Sequence, residues 1–464
     1  MNSRTFQKYA SSVVFVTALL FRLILVFFVS TNYMLSDSID YHNLAVNLVE
    51  GNGYSQDTTP PFRPSFYREP AHPLYLALAY GIYKVAGGDL YYMTDNRNLP
   101  RVQVTVGRIF LAILGSLTVV LFFWIVRHFL QPKVAFWVAI ASALYFPLAF
   151  FTTQLMRETV QTFSVTLASL FFLRYLSRNR IYWLALFSFA WALSNMTLQI
   201  TVFVVPLIPL WMKFNGFRMR RILWATLFSI IVALLFMSPW LFRTYRYYPD
   251  IRVFKTLGIS QTYEFMAYVS GERYRLSKEY ASSDSVDHLV QSIWKDWYKL
   301  DDFLKFQQSF DGTYKKRTAV SLPTSLPSVG FTRWIARIRN CWIESFWFVE
   351  QPNGRLHMRP HSYYWQNREI SWFALSLIGL GIGWFAVPGI FLFSRRLWPC
   401  LLLPCCFLVL FPLIGSEPRR GLPVHLFILL FSGLTITYSV MRISGSSHLQ
   451  CLSALFKSTT IFRD

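Results

Sequence analysis

Apolar stretches of roughly 20 residues recur along this chain, flanked by arginine and lysine, and a helix of that length spans a bilayer core. This recurrence restricts the fold more than any motif does. Such stretches fall near 11–30, 105–126, 134–151, 155–173, 181–194, 197–212, 222–242, 371–393, 397–415 and 421–441. The expectation is an all-α polytopic membrane protein with about ten transmembrane helices. A membrane barrel would instead show alternating segments of about 10 residues. Charged residues make up 15% of the chain and hydrophobic ones 54%. Soluble proteins carry roughly 25% charged residues.

Two runs need arbitration. Residues 180–212 would form one helix of about 50 Å, too long for a core of about 30 Å. Both flanks are basic, with Arg174, Arg178 and Arg180 before and Lys213, Arg220 and Arg221 after. They belong on one side of the membrane, so an even number of crossings lies between them. A break at Ser194-Asn195-Met196-Thr197 supplies two short helices. The run from Pro73 to Ala86 is too short to cross, at about 21 Å before Gly87-Gly88, and reads as an interfacial or re-entrant helix.

With that run excluded, the short basic loops at Arg127/Lys133, Arg178/Arg180, Arg218/Arg220/Arg221 and Arg395/Arg396 share one side with Arg4 and Lys8. By the positive-inside rule this side is the cytoplasm, and both termini lie there. The segment after Arg4 and Lys8 lacks a small-residue cleavage site and reads as a retained first helix, not a signal peptide. Three regions follow: residues 1–242, a transmembrane module with a first outer loop at 31–104 containing interfacial helices; 243–370, a large outer lobe; and 371–464, the last helices and a cytoplasmic tail. Within the lobe, Phe331 to Val349 repeats Trp334, Ile338, Trp342 and Phe346 beside Arg333 and Arg337. That suits a helix lying in the membrane interface, or the core helix of a small soluble lobe.

The net charge is +22. Because the basic residues sit mostly beside apolar spans, anionic lipid and the positive-inside bias account for them, and no nucleic-acid partner is expected. Cys400, Cys405 and Cys406 lie in an apolar span, and the five cysteines have no metal-binding spacing.

The chemistry-bearing residues collect on the outer side. Asp37 and Asp40 stand three apart on one face of a helix that stops at Gly51. They suit a general base or a metal site, and equally an N-cap with a partner three residues on. Arg68 and His72 follow in Tyr67-Arg68-Glu69-Pro70-Ala71-His72-Pro73. Glu158 follows Arg157 at the start of the fourth span, Arg243 closes the seventh, and Glu417 and Arg419 open the tenth. Each could be an interfacial, snorkelling side chain. Their shared membrane face favours a site in which carboxylates handle a proton or metal and arginines grip a phosphate.

This pattern resembles the GT-C superfamily of integral membrane glycosyltransferases, in the branch with protein O-mannosyltransferases and the lipid A aminoarabinose transferase. The resemblance rests on Asp37-Ser38-Ile39-Asp40-Tyr41 with Leu44, Leu48, Gly51, Gly53 and Tyr54, on the Arg68 to Leu74 segment, on Gly107-Arg108, on Pro239-Trp240-x-x-Arg243 and on Glu417-Pro418-Arg419-Arg420-Gly421-Leu422-Pro423. It covers roughly residues 10–260 and 370–440. Three positions depart from the family: His72 and Arg420 replace tyrosines, and Ser38 stands where many relatives have glutamate.

The resemblance implies inverting transfer of a sugar from a polyprenyl-phosphate carrier to a lipid, glycan or protein acceptor, at the outer face of a bacterial inner (plasma) membrane. Asp37 would be the general base, with Asp40 beside it. Arg68, Arg243 and Arg419 would neutralise the carrier phosphate, with His72 and Glu417 in the same substrate site. Glu158 would position the acceptor or a divalent cation. A transporter or flippase of lipid-linked sugars, with its site near the midplane, is the alternative from another class. A non-catalytic assembly subunit is the third. Mid-span ionisable residues are few, Arg22 chief among them, whereas the acids gather at one rim, which favours the enzyme.

Overall fold

The computed structural model describes residues 3–29, 37–65, 68–94, 99–198, 207–247, 346–350, 356–360, 382–393, 397 and 421–456. Helix α1 (Ser3–Ile24) continues into a π-helical turn at Leu25–Val29. Two shorter helices follow, α2 (Asp37–Glu50) and α3 (Ala71–Val85). The bundle proper comprises α4 (Arg101–Phe129), α5 (Pro132–Ala143), α6 (Phe146–Phe150, with a 3-10 turn to Thr153), α7 (Glu158–Arg178), α8 (Ile181–Asn195), α9 (Leu207–Phe214) and α10 (Met219–Tyr247). Helices α11 (Ile382–Phe393), α12 (Leu422–Ile443) and α13 (His448–Leu455) complete the described elements.

The chain is an integral membrane protein. Helices α1, α4, α10 and α12 are each long and apolar enough to cross a bilayer. The pair α5–α6, bent by 56°, would make a fifth span, so the described residues hold four or five such spans against the ten expected. Outward faces are apolar, as at Leu20 and Ile24 on α1 and Leu227 and Leu235 on α10.

The expected span near 134–151 is bent. It breaks at Leu144-Tyr145, because Pro147 in the first turn of α6 has no N–H for the Ala143 carbonyl and its ring would clash with that carbonyl in a continuous helix. Span 155–173 is a second case. Helix α7 has the length to cross, but Glu158, Thr159, Gln161, Thr162, Ser164 and Thr166 are all buried within the bundle. It packs chiefly against α4 and α8, which makes it a central helix of the bundle.

The break in 180–212 falls where expected, with α8 ending at Asn195. Helix α2 ends at Glu50, and Gly51 takes φ +82°, the left-handed conformation that closes a helix. Helix α3 spans about 22 Å, too short to cross, and exposes Leu74, Leu78, Ile82 and Val85 along one stripe. Within the expected second outer segment, Phe346–Glu350 pairs antiparallel with Leu356–Pro360. This β1–β2 hairpin corrects the helix expected over 331–349 at its C-terminal end, where Phe346–Val349 is β-branched and aromatic enough for a strand. Residues 331–345 lie outside the described residues, as do most of 243–370 and all of the expected span 397–415 beyond residue 397.

Candidate functional site

The first turn of α2 presents Asp37 and Asp40 on one face, since residues three apart neighbour each other on a helix. Arg68, from the loop before α3, sits between them. Its Nη2 donates to Asp37 Oδ1 at 2.9 Å and to Asp40 Oδ2 at 2.6 Å, and its Nε donates to Asp40 Oδ2 at 2.9 Å. The guanidinium offsets the repulsion between the two carboxylates and leaves the trio with one net negative charge. It also lies 5.2 Å from the centroid of the buried Tyr41 ring.

Tyr54 explains how Arg68 reaches that place. Its hydroxyl donates to the carbonyls of Arg68 (3.0 Å) and Glu69 (3.1 Å), which pins the backbone there. Arg68 goes to α2, while Glu69 takes the opposite direction and meets Arg157 in a buried ion pair of 2.7 Å. Burial pushes the Glu69 carboxyl above its ordinary value, with Arg157 opposing. The Tyr54 ring packs edge-on against Trp240 of α10, with centroids 4.6 Å apart. Arg243 closes this corner, its guanidinium 4.6 Å from the Trp240 ring and 5.2 Å from Tyr54, with Nη2 donating to the Tyr54 carbonyl at 3.2 Å.

Beneath the carboxylates, the turn at 153–157 is held from three helices. Ser38 of α2 donates to the Gln154 carbonyl. His72 of α3 donates through Nε2 to the Leu155 carbonyl at 2.8 Å. Arg108 of α4 donates to the Thr153 carbonyl at 2.7 Å. Leu155 itself takes φ +47°, a left-handed conformation that a leucine adopts only under constraint. His72 is fully buried and edge-on to Tyr41, with centroids 4.7 Å apart, and burial lowers it to about 3. It is therefore a neutral donor that braces the turn, not a cation awaiting a phosphate. Nearby His42, lowered by burial to about 4, bridges the Tyr80 hydroxyl and the Tyr91 carbonyl at 2.9 Å each.

Of the residues singled out in the sequence, Asp37, Asp40, Arg68, His72 and Arg243 thus belong to one contiguous network. Glu158 is buried and turned into the bundle, where it lines a small cavity with Arg22, Thr118, Thr159 and Thr162. Glu417 and Arg419 lie outside the described residues. Four members of the network were not singled out: Tyr41, Tyr54, Glu69 and Arg157. Glu69 and Arg157 had a signal, since each follows or precedes a chosen residue and each charge lies next to apolar chain. Among the described residues, no group of three His, Cys, Asp or Glu side chains could hold a metal ion. The Asp37–Asp40 pair already holds a guanidinium, so its donor set does not fit a divalent cation.

The fold is similar to that of the archaeal oligosaccharyltransferase AglB from Archaeoglobus fulgidus. With that enzyme bound to an inhibitory peptide and a dolichol-phosphate, the TM-score is 0.53 at 13% identity, over 95% of this chain and 52% of that one. With its apo form the TM-score is 0.52 at 15% identity, over 95% and 52%. The chain therefore spans about half the length of those proteins. ArnT from Cupriavidus metallidurans bound to undecaprenyl phosphate superposes more loosely, with a TM-score of 0.40 at 13% identity over 96% of this chain and 80% of that one. No family model and no curated protein matches the sequence.

Proposed function

We propose that the chain transfers a glycosyl group from a polyprenyl-phosphate carrier to an acceptor hydroxyl at the outer face of a membrane. One observation supports this above others: two carboxylates at a helix N-terminus share one arginine, and a second arginine is tied to the same loop through Tyr54. Carboxylates beside an arginine suit a reaction that releases a proton on one side and a phosphate on the other. The likeness in fold to an oligosaccharyltransferase bound to dolichol-phosphate is consistent with this reading.

In the transfer, the acceptor oxygen forms a bond to the anomeric carbon as the bond from that carbon to the carrier phosphate breaks. Asp37 takes the acceptor's proton. Its side chain is 23% exposed against 13% for Asp40, so it is the more reachable base. Asp40 and Arg68 orient it. Arg68, with both carboxylates on it, is not the phosphate clamp expected from the sequence. That role passes to Arg243, which stacks on Trp240 and would meet the charge developing on the leaving phosphate. Removing one such contact costs about 3 kcal/mol of barrier by analogy with oxyanion donors. Attack from the face opposite the phosphate inverts the anomeric centre. Glu158, facing the bundle interior, takes no part in this step.

The test is transfer by the purified full chain in sealed proteoliposomes, with a radiolabelled polyprenyl-phosphate sugar and membrane lipid extract as acceptor source. Label moving to a new product in wild type but not in Asp37→Asn supports the proposal. Label crossing the bilayer on an unchanged carrier would instead establish a transporter.

A further inference from the structure

Arg22 is the strongest charge anomaly in the bundle. It sits in the apolar span α1 and is 1% exposed. Its Nη1 donates to the carbonyls of Ala18 (3.1 Å) and Ala143 (3.3 Å), the latter at the C-terminal end of α5, where the helix pair bends. Its Nε has no partner among the described residues. None of the ion pairs among the described residues includes it. The side chain lies against Gly115 of α4, where a Cβ would come within 2.8 Å of Nε, so a glycine there makes its seat. The π-helical turn of α1 begins three residues later, at Leu25.

The guanidinium opens into the cavity that Glu158 also lines. Thr159 contributes a buried hydroxyl that likewise has no partner among the described residues. The cavity has room for about one water molecule, and a buried water needs two to four polar partners, which these groups supply. A lone buried cation in a membrane interior is costly, and such residues pair with an opposite charge or line water.

We infer that Arg22 and Glu158 form a water-bridged charge pair inside the membrane that fixes the first turn of α7 against α1. The turn is then clamped twice by adjacent residues: Arg157 outward to Glu69, and Glu158 inward to Arg22. Arg22 is a positioning residue in this arrangement. The inference does not depend on the glycosyl-transfer reading.

The test is a double-mutant cycle read as the thermal unfolding midpoint in one detergent, together with yield of monodisperse protein. Arg22→Met keeps the length and removes the charge, Glu158→Gln removes the opposite charge, and Arg22→Lys keeps the charge but not the fork. Each neutralising single variant should lower the midpoint by several degrees, and Arg22→Lys should lower it less than Arg22→Met. The double variant Arg22→Met/Glu158→Gln should recover part of the loss, because it removes both members of the coupled pair together. If Arg22→Met yields too little protein to melt, recovery of yield in the double variant carries the same information. Losses that simply add, or a double variant with no recovery of yield, would overturn the pairing and leave Arg22 only as a donor to Ala18 and Ala143.

Discussion

Arg157 Nη1 lies 2.7 Å from Glu69 Oε2, and the two side chains are only 7% and 1% exposed. This pair joins the loop before α3 to the start of α7, directly behind the carboxylates that Arg68 holds. Because neighbouring residues Arg68 and Glu69 point to different partners, the pair also sets the direction in which Arg68 leaves the backbone.

Breaking a buried ion pair from one side strands the other charge, at about 3–5 kcal/mol. Glu69→Gln should therefore lower the unfolding midpoint of the purified protein markedly and reduce expression. An unchanged midpoint would mean that Arg157 finds another acceptor and that the pair does not set the local structure.

Chemistry and stability should separate at Asp37. Asn matches Asp in size and in helix N-capping, but cannot accept the proton. Asp37→Asn should leave the unfolding midpoint near that of wild type and lower transfer by ~100-fold or more. If transfer persists, Asp40, which shares Arg68, becomes the base to examine.

Arg243→Lys keeps the charge but loses the planar fork and the guanidinium stacking over Trp240. Steady-state kinetics should show a raised KM for the polyprenyl-phosphate donor with little change for the acceptor. An effect on the acceptor alone would move Arg243 to the other side of the reaction.

Mild acid should destabilise the protein through its buried histidines. Burial lowers His42 to about 4 and His72 to about 3, from an ordinary 6.5. Between those values the unfolded chain binds protons that the folded chain refuses, so stability falls as pH drops below about 6.5. At full slope each histidine contributes about 1.4 kcal/mol per pH unit. Midpoints measured from pH 7.5 to 5 should fall, and His72→Gln, whose amide can still donate to the Leu155 carbonyl, should flatten the slope. A flat wild-type profile would show that neither histidine is excluded from protonation.

Orientation is open to cysteine labelling. Ser55 is only 1% exposed and would not report, whereas Thr59 in the same loop and Ser444 after α12 are both exposed. Impermeant maleimide should reach Thr59→Cys in intact cells and Ser444→Cys only after permeabilisation. The reverse pattern would place the carboxylate site in the cytoplasm.

Much of the architecture was legible in the sequence because it depends on local quantities. Apolar run length gives the crossing helices α1, α4, α10 and α12, and run length also shows that α3 is too short to cross. The stops at Glu50 and Asn195 follow from Gly51 and from the polar break at Ser194 to Thr197. The shared face of Asp37 and Asp40 follows from helical periodicity alone.

Partner choice was not legible, because it depends on which side chains the packed bundle brings within a few ångströms. Arg68 read as a phosphate ligand, and only the fold shows it between two carboxylates, since the Tyr54 hydroxyl that aims it lies 14 residues away. Glu69 and Arg157 are separated by 88 positions, and no sequence spacing announces their contact. Glu158 carries the same charge in either setting; helix packing alone turned it inward, towards Arg22. Charge and periodicity are properties of the chain, but the sign and distance of a charge's nearest neighbour belong to the tertiary structure.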